Sequence, residues 1–247
     1  IQNAIDLAKS FGLATLGDPN QYGLTLVLGG GEVRLLDLTS AYAVFANDGV
    51  KNPPTGILEV VDARGNVFVP YPQQPSLVLP ENIARDMSAM LSDAPARLPV
   101  YPLNSSLSFS GYDVAVKTGT TDDTRDAWVI GYTPSIALGV WVGNNDNSPM
   151  VKLVAGLIAA PMWHEAMAYA LSKYPKTYFG EPSPIPATVL PMLQGNWRIS
   201  DAQGTVVPHS LLYWTDKNNP QGPPPTNPAQ DPQFAYWEYG ITAWYES

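Results

Sequence analysis

The spacing of apolar residues in the first part of the chain predicts three amphipathic helices. Apolar side chains recur every three or four residues in these segments, which places them on one helix face. A glycine and an Asn-Asp-Gly turn end the first two segments, and a proline begins the third, as is typical of helix termini. The predicted helices are residues 1–11, 35–47 and 81–91.

Strand-forming stretches follow a different pattern, in which β-branched and aromatic residues lie between short turns. Residues 56–62 and 67–69 flank the turn at 63–66 and predict a hairpin. Three further strands are predicted, and their short connections allow only antiparallel neighbours. These strands are residues 112–118, 127–132 and 136–143, and an apolar helix is predicted after them at 152–173. The pattern predicts an α/β (α+β) fold with an antiparallel sheet flanked by helices.

Proline usage separates two regions of the chain. Residues 1–175 contain 14 prolines, whereas residues 176–247 contain 11, including the run Pro223-Pro224-Pro225. Polyproline has no internal hydrogen bonds and cannot enter a sheet interior, so we expect residues 176–247 to form a largely irregular, proline-rich extension. The boundary is predicted near residues 174–180. Four tryptophans favour docking of part of the extension on a surface; they are Trp197, Trp214, Trp237 and Trp244.

Composition excludes several kinds of chemistry. The chain has no cysteine, which excludes disulfides, a thiol nucleophile and cysteine-ligated metals. Its two histidines are 45 positions apart, which argues against a Ser-His-Asp triad or a multi-histidine metal centre. A formal charge of −9 argues against nucleic-acid binding. The longest apolar stretch without charge, residues 153–163, is shorter than the about 20 residues of a membrane-spanning helix.

The strongest local feature is Lys117-Thr118-Gly119-Thr120-Thr121 at the end of a predicted strand. Lysine supplies a compact positive charge, threonine hydroxyls supply donors, and glycine lets another backbone come close. These groups suit a carboxylate-bearing peptide that lies along a strand edge. Strand alternation places Lys117 and Thr118 on opposite faces, so periodicity alone leaves open whether both reach one ligand.

The surrounding sequence makes this motif specific. Lys-Thr-Gly is one of three elements of the serine acyl-transfer machinery in penicillin-binding proteins and β-lactamases. Around it stand Asp126-Ala-Trp128, Gly131-Tyr132-Thr-Pro134, Gly139-Val-Trp141-Val-Gly143 and, upstream, Leu28-Gly29-Gly30-Gly31-Glu32-Val33 and Ala41-Tyr42-Ala43. In this order and spacing, residues 1–172 resemble the transpeptidase domain of class A, bifunctional, penicillin-binding proteins.

The resemblance implies roles for four residues. Lys117 would be catalytic and would line the cleft, where its charge attracts the substrate. Thr118 and Thr120 would bind the carboxylate of a peptidoglycan stem peptide or of a β-lactam, and Gly119 would let the acyl group lie against the strand. The backbone N–H of Thr120 would also form half of the oxyanion hole. No metal and no cofactor are implied.

The sequence departs from the family pattern in one respect: it contains neither Ser-x-x-Lys nor Ser-x-Asn. The chain also begins inside a predicted helix without a methionine, so we interpret it as the C-terminal portion of a larger domain whose nucleophile lies upstream. The expected function is that of a D,D-transpeptidase segment, inactive by itself, that cross-links stem peptides. The parent would carry a glycosyltransferase domain and an upstream membrane anchor, and would act at the extracytoplasmic face of the bacterial cytoplasmic membrane.

Two alternatives remain open from the sequence. A D,D-carboxypeptidase or β-lactamase of the same fold would use water as the acceptor, although the flanking pattern around Trp128 and Trp141 argues against it. A non-catalytic cell-wall-binding module would lack an upstream Ser-x-x-Lys altogether.

Overall fold

The chain forms two compact units in the computed structural model, Ile1–Ser183 and Pro184–Ser247. The structure describes residues 1–70, 74–150, 152–184, 186, 189, 198–200, 204, 206–220 and 222–246. The division between the units falls a few residues after the boundary that proline usage predicts.

Three helices of the first unit lie where the apolar spacing predicts them. They are α1 (Gln2–Phe11), α2 (Leu35–Ala46) and α3 (Glu81–Ser92). Gly12 ends α1 with a φ of 108°, a left-handed conformation that glycine adopts readily. Gly49, after α2, has a φ of +89°, and a Cβ added there would collide with the carbonyl oxygen of Leu79. Both turns therefore require glycine.

Two short antiparallel ribbons connect α2 with α3. Strand β1 (Val50–Lys51) pairs with β4 (Ser76–Leu77), and β2 (Glu59–Val61) pairs with β3 (Val67–Pro70). The second ribbon is the predicted hairpin. Its turn is stabilised by the Asp62 carboxylate, which accepts hydrogen bonds from the backbone N–H groups of Arg64 and Asn66 at 2.8 and 2.9 Å.

The main sheet has the strand order β5-β6-β7 among the described residues, and its neighbours are antiparallel. Its strands are β5 (Ala115–Thr120), β6 (Asp126–Thr133) and β7 (Ile136–Gly143). The antiparallel prediction is confirmed, and β7 has the predicted bounds. β5 begins and ends later than predicted, so all of Lys117–Thr120 lies within the strand.

Helices cover both faces of the main sheet. Helix α4 (Ala155–Leu171) packs on one face, where Trp163 is fully buried and its Nε1–H donates to the carbonyl oxygen of Leu138 at 3.0 Å. Helix α2 packs on the other face, where the ring of Tyr42 meets that of Tyr132 edge-on. This helix–sheet–helix arrangement confirms the predicted fold class.

One polar contact is buried between α3 and the main sheet. The hydroxyl groups of Ser88 and Tyr132 lie 3.1 Å apart, and these residues are 1% and 0% exposed. Burial, the largest influence, raises the pKa of the Tyr132 phenol above its ordinary value. Because Ser88 donates its single hydroxyl hydrogen to the carbonyl oxygen of Ala84 at 3.0 Å, the Tyr132 hydroxyl is the donor to Ser88, and both buried hydroxyls have partners.

The segment that follows α4 is tied to the first unit. The Thr177 hydroxyl donates to that of Ser135 at 3.3 Å, and the backbone N–H of Phe179 donates to the Asp113 carboxylate at 3.4 Å. The Phe179 ring also packs edge-on against Tyr132. These contacts explain why the first unit extends to residue 183.

The second unit contains regular elements within the extension that was expected to be largely irregular. It contains an antiparallel pair, β8 (Arg198–Ser200) with β9 (Val206–Pro208), and the helices α5 (Leu211–Trp214) and α6 (Phe234–Glu246). No proline follows Pro232, so nothing interrupts the backbone hydrogen bonds of α6. The proline count over residues 176–247 as a whole does not reveal this proline-free stretch.

Glu238 ties α6 to the residues that precede α5. Its carboxylate accepts hydrogen bonds from the backbone N–H and hydroxyl of Ser210 at 2.8 and 2.6 Å, and it lies 2.9 Å from Nδ1 of His209. Burial raises the pKa of Glu238, but the hydrogen bonds from Ser210 and His209 outweigh it, and the net effect is a lowered pKa.

The three tryptophans of the second unit that the structure describes have different environments. Trp214 is buried, whereas Trp237 and Trp244 on α6 are 48% and 61% exposed. Trp197 lies outside the described residues. Docking through these residues stays a prediction. Across the described ranges, no helix is both long enough and apolar enough to cross a membrane.

Candidate active site

Strand β5 presents a free edge next to the Lys-Thr-Gly motif. Among the described strands it pairs only with β6, in continuous register from Ala115 opposite Tyr132 to Thr120 opposite Ala127. The backbone N–H of Thr121 donates to the carbonyl of Asp126, so this pair is of the hydrogen-bonded type. Because the two types alternate, the backbone N–H and C=O groups of Thr118 and Thr120 point away from β6, towards the free edge.

The side chain of Lys117 reaches this edge from the α2 face of the sheet. Lys117 is exposed, and its Nζ donates to the carbonyl oxygen of Thr118 at 2.7 Å. Strand alternation places the two side chains on opposite faces, as the sequence predicts. The flexible lysine stem nevertheless brings the ammonium group to the edge where Thr118 and Thr120 present their backbone groups.

The hydroxyl groups of Thr118 and Thr120 lie on the α4 face, where each has a partner. The Thr118 hydroxyl is 3.3 Å from that of Tyr101, which lies in the loop between α3 and β5. The Thr120 hydroxyl accepts a hydrogen bond from the backbone N–H of Ala155, in the first turn of α4, at 3.0 Å. Thr120 therefore satisfies an N–H group that the helix itself leaves unpaired.

Gly119 and two tryptophans form one row across the three strands. Gly119 is opposite Trp128, which is opposite Trp141, and the two indole rings have centroids 6.4 Å apart. A Cβ added at Gly119 would be 3.5 Å from the Cβ of Trp128, an ordinary contact. Packing within the protein therefore leaves room for a side chain at Gly119. The predicted need for glycine here rests instead on the space that an acyl group of a ligand would occupy.

The turn from β5 to β6 is acidic, and its ion pair differs from the simplest expectation. The sequence suggests that Asp126 pairs with Arg125. In the structure Arg125 pairs with Asp123 at 3.7 Å, whereas Asp126 accepts from the Thr121 hydroxyl at 2.9 Å and from the indole N–H of Trp141 at 2.8 Å. The carboxylate of Asp126 thus fixes the turn against β7.

No group of three or more potential metal-ligating side chains occurs within the described ranges. His164 on α4 stacks on Phe109, with ring centroids 4.4 Å apart, and its Nδ1 lies 3.0 Å from the Ser106 carbonyl oxygen. These contacts make His164 a packed side chain of α4.

Two residues that contact the motif, Tyr101 and Ala155, were not predicted from the sequence. Tyr101 falls in a stretch without periodicity, 17 residues before its partner Thr118, and Ala155 contributes only a backbone group. No local signal marks either of them. Both contacts depend on how α4 and the preceding loop pack beside β5.

An antiparallel sheet between helices, with Lys-Thr-Gly on an accessible edge strand, defines the class of serine acyl-transfer folds shared by penicillin-binding proteins and β-lactamases. Residues 24–168 match the model of the penicillin binding protein transpeptidase domain. This match covers more than half of the chain, and the chain belongs to that family.

Several relatives have similar sequences or structures. Penicillin-binding protein 1A of Aquifex aeolicus is 37% identical over 167 residues, 64% of this chain and 21% of the relative. Penicillin-binding protein 2D of Bacillus subtilis is 33% identical over 186 residues, 72% of this chain and 26% of the relative. PonA1 of Mycobacterium tuberculosis in complex with penicillin V superposes with a TM-score of 0.64 at 27% identity, covering 74% of this chain and 53% of that one.

The chain thus spans about a fifth to a quarter of the length of these curated relatives, 21% and 26%. The resemblance to the transpeptidase domain of class A penicillin-binding proteins is confirmed at the level of the family.

Proposed function

We propose that this chain supplies the substrate-binding edge of a serine D,D-transpeptidase that cross-links peptidoglycan stem peptides. The observation that carries the proposal is the accessible edge of β5. There the Lys117 ammonium group and the outward backbone groups of Thr118 and Thr120 face the same side. Family membership supports the same reaction class.

The edge suits a peptide that ends in a carboxylate. An extended peptide can add to β5 as a further strand, because the N–H and C=O groups of Thr118 and Thr120 point outwards. Lys117 then contributes a positive charge beside the peptide's carboxylate, and the two threonine hydroxyls contribute neutral donors. A β-lactam with a carboxylate presents the same groups to the edge.

The proposed reaction has two steps. A serine hydroxyl attacks the carbonyl carbon of the penultimate D-alanine, the amide bond to the terminal D-alanine breaks, and that residue leaves with the serine proton on its amine. An amine of a neighbouring strand then attacks the ester, forms the new amide and returns a proton to the serine. The backbone N–H of Thr120 stabilises the oxyanion in both steps, and one such donor lowers the barrier by about 2.7–4 kcal/mol.

The nucleophile of this reaction lies outside the 247 residues, since they contain no Ser-x-x-Lys. We place the segment that carries it N-terminal to this chain in the parent protein. The stem peptides lie outside the cytoplasmic membrane, so the parent acts there through an anchor that is also outside these residues.

Covalent labelling with a fluorescent penicillin tests the proposal. The 247-residue chain is expected to take no label, and the protein that includes the Ser-x-x-Lys segment is expected to take one label on its serine. Lys117→Ala in that protein should abolish labelling, whereas Lys173→Ala, at an exposed lysine at the end of α4, should not. If the Lys117→Ala variant is still labelled, Lys117 is not part of the active site. If the unsubstituted parent protein takes no label, the chain belongs to a non-catalytic binding module.

The products distinguish the two enzymatic alternatives. Incubation of the labelling-competent protein with stem peptides should yield a cross-linked dimer together with free D-alanine. Free D-alanine without dimer would identify a carboxypeptidase.

A further inference from the structure

The Thr118 hydroxyl is held by a tyrosine that no motif contains. The Tyr101 hydroxyl lies 3.3 Å from it, and the Tyr101 ring packs against the core between the sheet and α4. Gly156, in the first turn of α4, makes room for this ring. A Cβ added at Gly156 would collide with the ring and would lie 2.9 Å from the Tyr101 hydroxyl oxygen.

The hydrogen-bond inventory of the two threonines shows what such a partner does. A hydroxyl group carries one hydrogen to donate and two lone pairs that accept. The Thr120 oxygen accepts from the backbone N–H of Ala155, so its hydrogen remains available to a ligand. When Thr118 gives its hydrogen to a ligand carboxylate, the Tyr101 phenol can only be the donor to the Thr118 oxygen.

We propose that Tyr101 is a positioning residue that holds Thr118 as a hydrogen-bond donor towards the carboxylate of the ligand. The chain of bonds runs from Tyr101 to Thr118 to the carboxylate, and each bond polarises the next. The O–O distance of 3.3 Å exceeds the about 2.7–2.8 Å of an ideal bond, so the pair can tighten when a ligand binds. This inference rests on the proposed function of the β5 edge.

The parallel with Thr120 supports this role. Both threonines point to the same face, and each hydroxyl has a partner beside β5: the Ala155 N–H donates to Thr120, and the Tyr101 phenol is placed to donate to Thr118. With Tyr101 as the donor, neither threonine oxygen depends on the ligand for a hydrogen bond, and both hydroxyl hydrogens are available to an anion. The site then favours an anionic group over a neutral one of the same shape.

The test compares a β-lactam with and without its carboxylate charge. Benzylpenicillin and its methyl ester are used to acylate the protein that includes the Ser-x-x-Lys segment. Tyr101→Phe should lower the second-order acylation rate constant about fivefold for benzylpenicillin, the effect of one net hydrogen bond, and leave that for the ester unchanged. Tyr112→Phe is the matched control, because Tyr112 contacts Lys176 through its ring, which phenylalanine retains.

A second variant distinguishes the loss of Tyr101 positioning from a general loss of activity. Gly156→Ala keeps the tyrosine hydroxyl but displaces its ring, and it should reduce the preference for benzylpenicillin in the same way. Equal losses for both probes, or no loss for either, would overturn the proposal. If the unsubstituted protein is not acylated at all, the proposed function fails; if it is acylated and the probe preference does not change, only the role of Tyr101 fails.

Discussion

Substitution of Gly131 by alanine tests the packing that holds β5 beside α4. Gly131 lies in the central strand β6, directly opposite Val116 of β5 and Leu138 of β7. A Cβ added there would overlap the Trp163 ring and lie 2.8 Å from the Ala115 carbonyl oxygen. Neither neighbour can retreat easily, because Trp163 is fully buried and the Ala115 carbonyl belongs to the sheet backbone.

Two contributions set the size of the effect. Forcing an extra methyl group into a packed core costs about 1–3 kcal/mol. If the Trp163 ring moves to relieve the overlap, its Nε1–H loses the bond to Leu138, and an unsatisfied buried donor costs about 1–3 kcal/mol. We therefore expect Gly131→Ala to lower the free energy of unfolding by about 3 kcal/mol, which corresponds to about 6–12 °C in Tm for a protein of this size.

Urea unfolding followed by tryptophan fluorescence measures this loss. Gly56→Ala is the control, because a Cβ added at Gly56 meets nothing within 4 Å and should change stability by less than about 1 kcal/mol. In a Trp163→Phe background, Gly131→Ala should cost at least about 1 kcal/mol less, since the smaller ring relieves the overlap. The packing argument is wrong if Gly131→Ala is no more destabilising than Gly56→Ala, or if the two costs simply add.

Two further predictions concern polar groups in the two units. Ser88→Ala should destabilise the first unit by about 1–3 kcal/mol in urea unfolding, because it leaves the buried Tyr132 hydroxyl without its partner. The double variant Ser88→Ala with Tyr132→Phe removes both hydroxyls and should recover part of that loss. The lowered pKa of Glu238 stabilises the second unit above the ordinary glutamate pKa, and this stability should be lost as acidification protonates the carboxylate. Thermal unfolding between pH 3 and 7 should show this loss, and Glu238→Gln should reduce the slope; an unchanged slope would contradict it.

The sequence predicted the first unit well wherever local chemistry decides the structure. The apolar period of α2 and the left-handed glycine after α1 are local signals, and both lie where the pattern predicts them. Helix α6 was not predicted, because proline usage over residues 176–247 as a whole hides the proline-free stretch that follows Pro232. The contact between Tyr101 and Thr118 could not be predicted, since it depends on the tertiary packing of the loop before β5.

The geometry of β5 explains why a motif of alternating faces can still serve one ligand. Side chains of consecutive residues leave a strand in opposite directions, so a site on either sheet face would use Lys117 or Thr118 but not both. The edge of the sheet can be reached from both faces. The long side chain of Lys117 reaches it from one face, and the hydroxyl of Thr118 lies beside it on the other. The backbone between them supplies the outward N–H groups. A shorter cation in place of Lys117 would therefore keep the positive charge but fail to reach the edge, and under the proposed function the ligand carboxylate would be bound by the threonines alone.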